Sequence, residues 1–275
     1  MEVKDINPAW LDKTHPNFER WQRARELSIE RGKFVYSVIN QINQNENLSV
    51  LDLGSGEGGS TKVFSENNFV TSFDLSLVRL KRQSENFNYL LNVNGDALNL
   101  PFFDKSFDLI IVQDVIEHLT NTQSFYSELK RVLKNKGIIF LSTPNKFSIF
   151  NILNDPHFGL PVVSLLRRKS IKEYFLKYFR KKDYMRSDIA QLFSLNELMK
   201  IFQNDFNISL NTKFVVNELF KGNKGIVWSD FHLKIIGLCK TIRLDWLINK
   251  LSNDNFGIIN KYFTPTYYLL LNRKL

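Results

Sequence analysis

Hydrophobic residues along this chain alternate between two spacings. The runs Leu48–Leu53 and Asn68–Phe73 are short and largely apolar, as buried strands are, whereas intervening segments place apolar residues three to four positions apart. From Leu48 to Ser142 this alternation predicts βαβ units and a parallel sheet. Ahead of it, Asn17–Asn43 carries helical periodicity through Trp21, Leu27, Phe34 and Val38. Behind it, Ser194-Leu195-Asn196-Glu197 has the spacing of a capping box that opens a helix to about Gln203. Asn207–Leu219 then reads as a strand, and Pro265–Leu271 as the last one.

Two stretches stand outside the pattern as insertions, Lys146–Phe193 and Phe220–Tyr262. In the first, Ile171, Tyr174, Phe175, Tyr178 and Phe179 recur at helical spacing among Arg167, Arg168, Lys169, Lys172, Lys177, Arg180, Lys181 and Lys182. Such a helix is expected first as a lid whose aromatic face packs on the sheet, and as the alternative, compatible with it, segment 161–182 lies at an anionic membrane surface. In the second, Trp228, Phe231, Leu233, Ile235, Leu238, Ile242, Trp246 and Leu247 crowd together as in a core helix pair.

Composition narrows the setting. A chain of 275 residues with 43% hydrophobic content can bury one large core. The single cysteine, Cys239, excludes an internal disulfide and fits a reducing compartment. Met1–Trp10 lacks a signal-peptide pattern, and no stretch approaches the roughly 20 apolar residues of a membrane span, so a cytoplasmic or peripheral protein is expected. The net charge of +9 gathers mostly after Ser142, which bears on partners and not on fold.

The candidate chemistry begins at Val50–Gly59, VLDLGSGEGG, a glycine-rich turn between a strand and a helix. Glycines there let backbone N–H groups approach a ligand, and Asp74, ending the next strand, can accept hydrogen bonds from two ribose hydroxyls. Gly54-x-Gly56-x-x-Gly59 satisfies a dinucleotide fingerprint. Asp52-x-Gly54-x-Gly56-x-Gly58 satisfies the pattern of class I methyltransferases that use S-adenosylmethionine. The acidic Asp52 disfavours a pyrophosphate and suits an ammonium group.

Further motifs follow in order: Asn94-Gly95-Asp96-Ala97 after a third strand near Tyr89–Val93, Leu100-Pro101-Phe102, Ser106–Val112, Glu117-His118-Leu119, Leu129–Gly137 and Thr143-Pro144-Asn145. Over Val50–Asn145 the chain resembles the class I methyltransferases. The resemblance implies a Rossmann-like α/β fold: a doubly wound, seven-stranded, mostly parallel sheet with an antiparallel final strand, plus helical cap insertions. It divides a single domain, 1–275, into cofactor-covering helices 1–47, a binding core 48–145, a lid 146–193 and a C-terminal part 194–275 whose helical insertion is 220–262. It places the fourth strand at Phe107–Ile110, has Glu117-His118-Leu119 open the next helix, and puts the fifth strand at Ile138–Ser142. It implies S-adenosylmethionine as cofactor, with Asp52, Gly54, Ser55, Gly56 and Gly58 at its methionine portion. Asp74 and Leu75 would meet the ribose, Asp96 and Ala97 the adenine, and Gln113 the sulfonium.

An oxygen acceptor must lose a proton, so a base or a metal is expected beside the methyl group. Asp114, Glu117 and His118 are spaced to share a helical face and are similar to the E-x-x-E-H metal segment of ubiquinone-biosynthesis O-methyltransferases, with aspartate in the first place. They are the candidate ligands for a divalent cation, and His118 is also a candidate base without one. His157, in Asp155-Pro156-His157-Phe158-Gly159, is the rival base, and its segment resembles a lid motif of glycan- and lipid-pathway methyltransferases. The expected acceptor is a small or lipid-linked molecule bearing a hydroxyl. A sugar or amine acceptor is the alternative, and a scaffold without catalysis a remote one. Nucleic acid is disfavoured, because Gln113-Asp114-Val115-Ile116 stands where amino-methylating enzymes of bases carry [N/D]-P-P-[Y/F].

Overall fold

In the computed structural model, which describes residues 9–87, 91–184, 186, 188–226 and 230–274, seven strands form one sheet in the order β3-β2-β1-β4-β5-β7-β6. They are β1 (Ser49–Leu53), β2 (Phe69–Asp74), β3 (Leu91–Asn94), β4 (Phe107–Gln113), β5 (Leu133–Pro144), β6 (Phe206–Leu210) and β7 (Thr266–Arg273). Strands β1 to β5 are parallel, and β7 is antiparallel to both β5 and β6. The chain lays β2 and β3 on one side of β1, and β4 and β5 on the other. That reversal opens a crevice at the carboxyl ends of β1 and β4.

Helices α1 (Phe18–Glu26) and α2 (Ser28–Ile39) precede the sheet, and α3 (Gly59–Phe64), α4 (Leu77–Asn86) and α5 (Thr122–Val132) connect its parallel strands. The first insertion holds α6 (Ile149–Leu153), α7 (Arg168–Ser170), α8 (Lys177–Phe179) and α9 (Lys181–Tyr184). Then come α10 (Leu195–Phe202) and α11 (Thr212–Lys221), followed by α12 (Asp230–Thr241), α13 (Leu244–Leu251) and α14 (Ile258–Tyr262). The capping box at Ser194 and Glu197 forms as its spacing predicts.

Both sheet faces are covered, which is why the strand runs are continuously apolar. Ile110 and Val112 enter a core shared with Phe125 and Leu129 of α5 and Leu198 and Phe202 of α10. Leu109 and Ile111 enter the opposite core, with Phe34 and Val38 of α2 and Phe64 of α3. Helix α2 rests directly on the start of α3: a Cβ on Gly32 would lie 2.5 Å from the Gly59 carbonyl oxygen. The leading helices thus roof the first crossover.

Several boundaries differ from expectation. The run Asn207–Leu219 divides into β6 and α11, because Thr212, Val215, Val216, Leu219 and Phe220 repeat with helical and not alternating spacing. Strand β5 begins at Leu133 and not at Ile138, since Leu133 still pairs with Phe107. The third strand is seen from Leu91; Tyr89 and Leu90 lie outside the described residues. In the lid, Ile171–Leu176 is a π-turn joining α7 and α8. Its wider winding splits the expected aromatic face, with Phe175 packed inward. Ile171 and Leu176 enter a satellite core with Phe158 and Val163, while Tyr174, Tyr178 and Phe179 are exposed. In the second insertion Ile236 packs with Phe220, but Leu238, Ile242 and Trp246 face outward. Trp228 and the side chains of Phe231, Leu233 and Ile235 lie outside the described residues. Among the described residues, no helix is long and apolar enough to cross a membrane.

Candidate active site

The glycine-rich loop joins β1 to α3 at the crevice. Gly54, Gly56 and Gly58 all adopt left-handed backbone (φ 75°, 56° and 76°), which residues with a Cβ enter only at a cost. At Gly58 a Cβ would also stand 2.9 Å from the Gln83 side chain.

The Gly56 peptide is gripped on both sides. Its N–H donates to Asp74 Oδ2 at 2.9 Å, and its carbonyl accepts from Gln83 Nε2 at 2.8 Å. Gln83, fully buried on α4, also donates to Ser55 Oγ at 2.9 Å and accepts from Ser72 Oγ at 2.7 Å. The second Asp74 oxygen accepts the Ser76 N–H at 2.8 Å, so backbone donors orient both carboxylate oxygens. No motif marks Gln83. Only its burial against the loop reveals it.

The other expected cofactor residues lie along the same sheet edge. Asp52 is buried beneath the loop, where Oδ2 accepts from Thr61 Oγ1 at 2.5 Å. Burial pushes its pKa up to about 6. Gln113, at the end of β4, accepts from Ser60 Oγ at 3.3 Å. Asp96 is exposed just past β3 and caps the Leu98 N–H at 2.9 Å, while Ala97 packs against the core. Leu75, beside Asp74, is exposed. Left-handed loop backbone, an oriented acid at the end of β2 and an exposed acid past β3 fit an adenosine-type cofactor.

Beyond Gln113 the chain turns abruptly. Asp114 has φ 56°, rare for a non-glycine residue, and three contacts hold it there. Its N–H donates to the Ser142 carbonyl at 3.0 Å, Oδ1 accepts from Ser142 Oγ at 3.0 Å, and Oδ2 accepts from Arg31 of α2 at 2.5 Å. Ile116–His118 is then a single 3-10 turn, and α5 starts only at Thr122. Asp114, Glu117 and His118 therefore do not share a helical face, because the left-handed residue breaks the helical repeat. Glu117-His118-Leu119 likewise precedes the helix and does not open it.

Glu117 is fully buried, and burial holds its pKa well above the carboxylate range. Oε2 accepts from Thr143 Oγ1 at 3.0 Å, whereas Oε1 has no hydrogen-bond partner. His118 Nδ1 lies 3.0 Å from the Asp188 carbonyl; that acceptor places the proton on Nδ1 and leaves the Nε2 lone pair free. The lid contributes His157. Asp155 Oδ1 accepts the N–H groups of His157 and Phe158 at 2.8 and 2.9 Å, and Asn17 Nδ2 donates to the His157 carbonyl at 2.7 Å. The aspartate turn was readable from Asp155-Pro156; the clasp by Asn17 had no sequence signal.

His157 Nε2 stands 3.9 Å from Glu117 Oε1, and the two imidazoles meet edge to face with centroids 5.1 Å apart. Burial lowers the pKa of His118, and that of His157 well below its usual value, so both rings are neutral near pH 7. Among the described residues, Glu117, His118 and His157 offer ligand atoms within 4.8 Å of one another. Asp114, engaged by Arg31, lies outside that group. Two neutral imidazoles beside a carboxyl can accept a proton or hold a cation.

Comparison with known proteins is consistent with this edge. Residues 51–141 match the model of a methyltransferase domain family. An uncharacterized protein of Methanocaldococcus jannaschii is 30% identical over 158 residues, 56% of this chain and 67% of that one. The malonyl-[acyl-carrier protein] O-methyltransferase of a Marinomonas species is 29% identical over 54% of this chain, which spans 55% of that enzyme's length. A Thermotoga maritima structure described as a SAM-dependent methyltransferase superposes with a TM-score of 0.54 at 14% identity, covering 94% of this chain and 95% of that one. At that identity the likeness concerns the fold.

Proposed function

We propose, on the premise that the chain belongs to the class I S-adenosylmethionine-dependent methyltransferases, that it methylates a hydroxyl oxygen of a small or lipid-linked acceptor. The cofactor supplies a methyl group already activated on a sulfonium. The protein has two tasks, to align acceptor and donor and to remove the acceptor's proton.

Alignment falls to Asp52 and the loop Gly54–Gly58 for the methionine portion. Asp74 and Leu75 take the ribose, Asp96 and Ala97 the adenine, and Gln113 lies nearest the sulfonium. The observation that supports an oxygen acceptor is the pair of neutral imidazoles at this edge, which can take the proton that a hydroxyl must lose. His118 is the base, because the Asp188 carbonyl fixes its tautomer with Nε2 open; His157 borders the acceptor. The Marinomonas relative is itself named for O-methylation.

A second reading has its own observation: Glu117 Oε1 and His157 Nδ1 are buried without partners. A divalent cation held by Glu117, His118 and His157 would satisfy Glu117 Oε1 and lower the acceptor's pKa. Methyl-labelled S-adenosylmethionine supplied to fractionated cell extract, with and without chelator, tests both. Label is expected in a small-molecule or lipid fraction, and chelator sensitivity selects the metal over the free base. His118→Asn should lower kcat roughly 100-fold or more with S-adenosylhomocysteine affinity unchanged. Label confined to RNA, or full activity in both His118→Asn and His157→Asn, overturns the reading.

A further inference from the structure

The carboxyl edge of the sheet carries an inside-out element. In α6 the polar Asn151 points inward, donating to the Asn145 carbonyl at 2.9 Å and the Pro265 carbonyl at 2.7 Å. Asn145, fully buried at the end of β5, donates to the Lys261 and Thr264 carbonyls at 3.0 and 2.8 Å. Asn260, also fully buried, accepts from Thr212 Oγ1 at 2.6 Å and donates to the Asn253 and Asn255 carbonyls at 2.7 Å each. These three asparagines staple α6 to α14 and the turn into β7. With the amides used inside, the large apolar side chains face out: Ile149, Phe150, Leu153, Ile258, Tyr262 and Phe263 are 47–71% exposed.

An exposed apolar face built from two elements stapled to the same turn marks an interaction surface. Its charge identifies the partner. No aspartate or glutamate occurs from Lys146 to Asn154, from Pro156 to Lys172, or from Asn255 to the last residue, while Lys146, Lys169, Lys172 and Lys261 all fall within those stretches. The neighbouring run α7–α8 is anchored at the same edge, where Arg168 donates to the Glu117 and Leu119 carbonyls at 2.9 Å each. It presents exposed Tyr174, Tyr178 and Phe179 between lysines. Across Arg167–Lys182 eight cations stand against one acid, the exposed Glu173, and a protein partner of mixed charge has little use for so cationic a rim. An anionic bilayer does, since aromatic and aliphatic side chains enter the headgroup boundary while cations meet the phosphates.

We infer that this edge docks on an anionic phospholipid surface, with the α6–α14 patch as the inserted part and the α7–α8 run as its basic flank. The docking gives the lipid-linked acceptor of the proposed reaction its route to the site, and rests on that reading only for its purpose.

Co-sedimentation of the full chain with vesicles tests it without turnover. Binding is expected to vesicles of equimolar phosphatidylcholine and phosphatidylglycerol, weaker to phosphatidylcholine alone, and reduced by salt. The pairs Phe150→Ser with Leu153→Ser, and Ile258→Ser with Phe263→Ser, should each weaken it about tenfold or more, while S-adenosylhomocysteine binding stays at the wild-type level and reports the fold. No binding by the wild type, binding at the wild-type level by both variant pairs, or a wild-type dimer that either pair dissolves would overturn the inference. Vesicle binding without lipid methylation would sink the acceptor assignment and leave the docking standing.

Discussion

Replacing Gln83 with leucine removes the grip on the cofactor loop while keeping a side chain of similar size. Three hydrogen bonds disappear: to the Gly56 carbonyl, to Ser55 Oγ and from Ser72 Oγ. Ser72 and Ser55 still bond to each other at 2.7 Å, so the Gly56 carbonyl is the group left stranded. A buried polar group without a partner costs about 1–3 kcal/mol, and losing the serine contacts adds about 1 kcal/mol, so the folded state loses roughly 2–4 kcal/mol. The loop can recover part of that by rotating the Gly56 peptide toward water, which also withdraws its N–H from Asp74. Whatever is recovered is lost again on binding, so S-adenosylhomocysteine affinity should fall roughly 10- to 100-fold, a loss of about 1.4–2.8 kcal/mol. Titration calorimetry reads the affinity, and kcat at saturating cofactor should change far less. A Kd within twofold of wild type beside a lowered Tm would show that Gln83 is ordinary core and that the loop does not depend on it.

Further outcomes follow from the same geometry. Asp52 has a folded-state pKa raised to about 6, so the folded protein holds the proton more tightly than the unfolded chain. The stability this gives is complete below the unfolded pKa and is lost as pH rises through about 6. Tm should therefore fall between pH 4 and 7 in the wild type relative to Asp52→Asn, and parallel curves would refute the assignment. Gly58→Ala combines a left-handed φ with a Cβ 2.9 Å from Gln83, so it should cost at least about 1 kcal/mol and weaken cofactor binding; wild-type melting would contradict this.

How much was legible beforehand depended on whether the signal was local. The capping box at Ser194 and the glycine turn at Gly54–Gly58 state their geometry in a few adjacent residues, and both form as their spacing requires. The helical face proposed for Asp114, Glu117 and His118 failed because one residue with φ 56° breaks the repeat. What holds Asp114 there, Arg31 and Ser142, comes from distant segments. The lid's aromatic stripe divided between core and surface for a related reason: a π-turn adds about one residue per turn, and no spacing rule announces it.

The sequence alone marked the parallel strands around Leu48–Leu53 and Asn68–Phe73 and the glycine turn between strand and helix, because burial on both faces and the needs of left-handed backbone are written into neighbouring residues. Tertiary structure alone decided which groups share the reaction edge. His157 reaches Glu117 and His118 only because Asn17 and Asp155 hold the lid loop over β4, and Asp114 leaves that group only because Arg31 draws it toward α2. Apart from the local Asp155 turn, such contacts join residues as far as 83 and 140 positions apart, and what fixes them is the packing of whole elements, which no short stretch of sequence records.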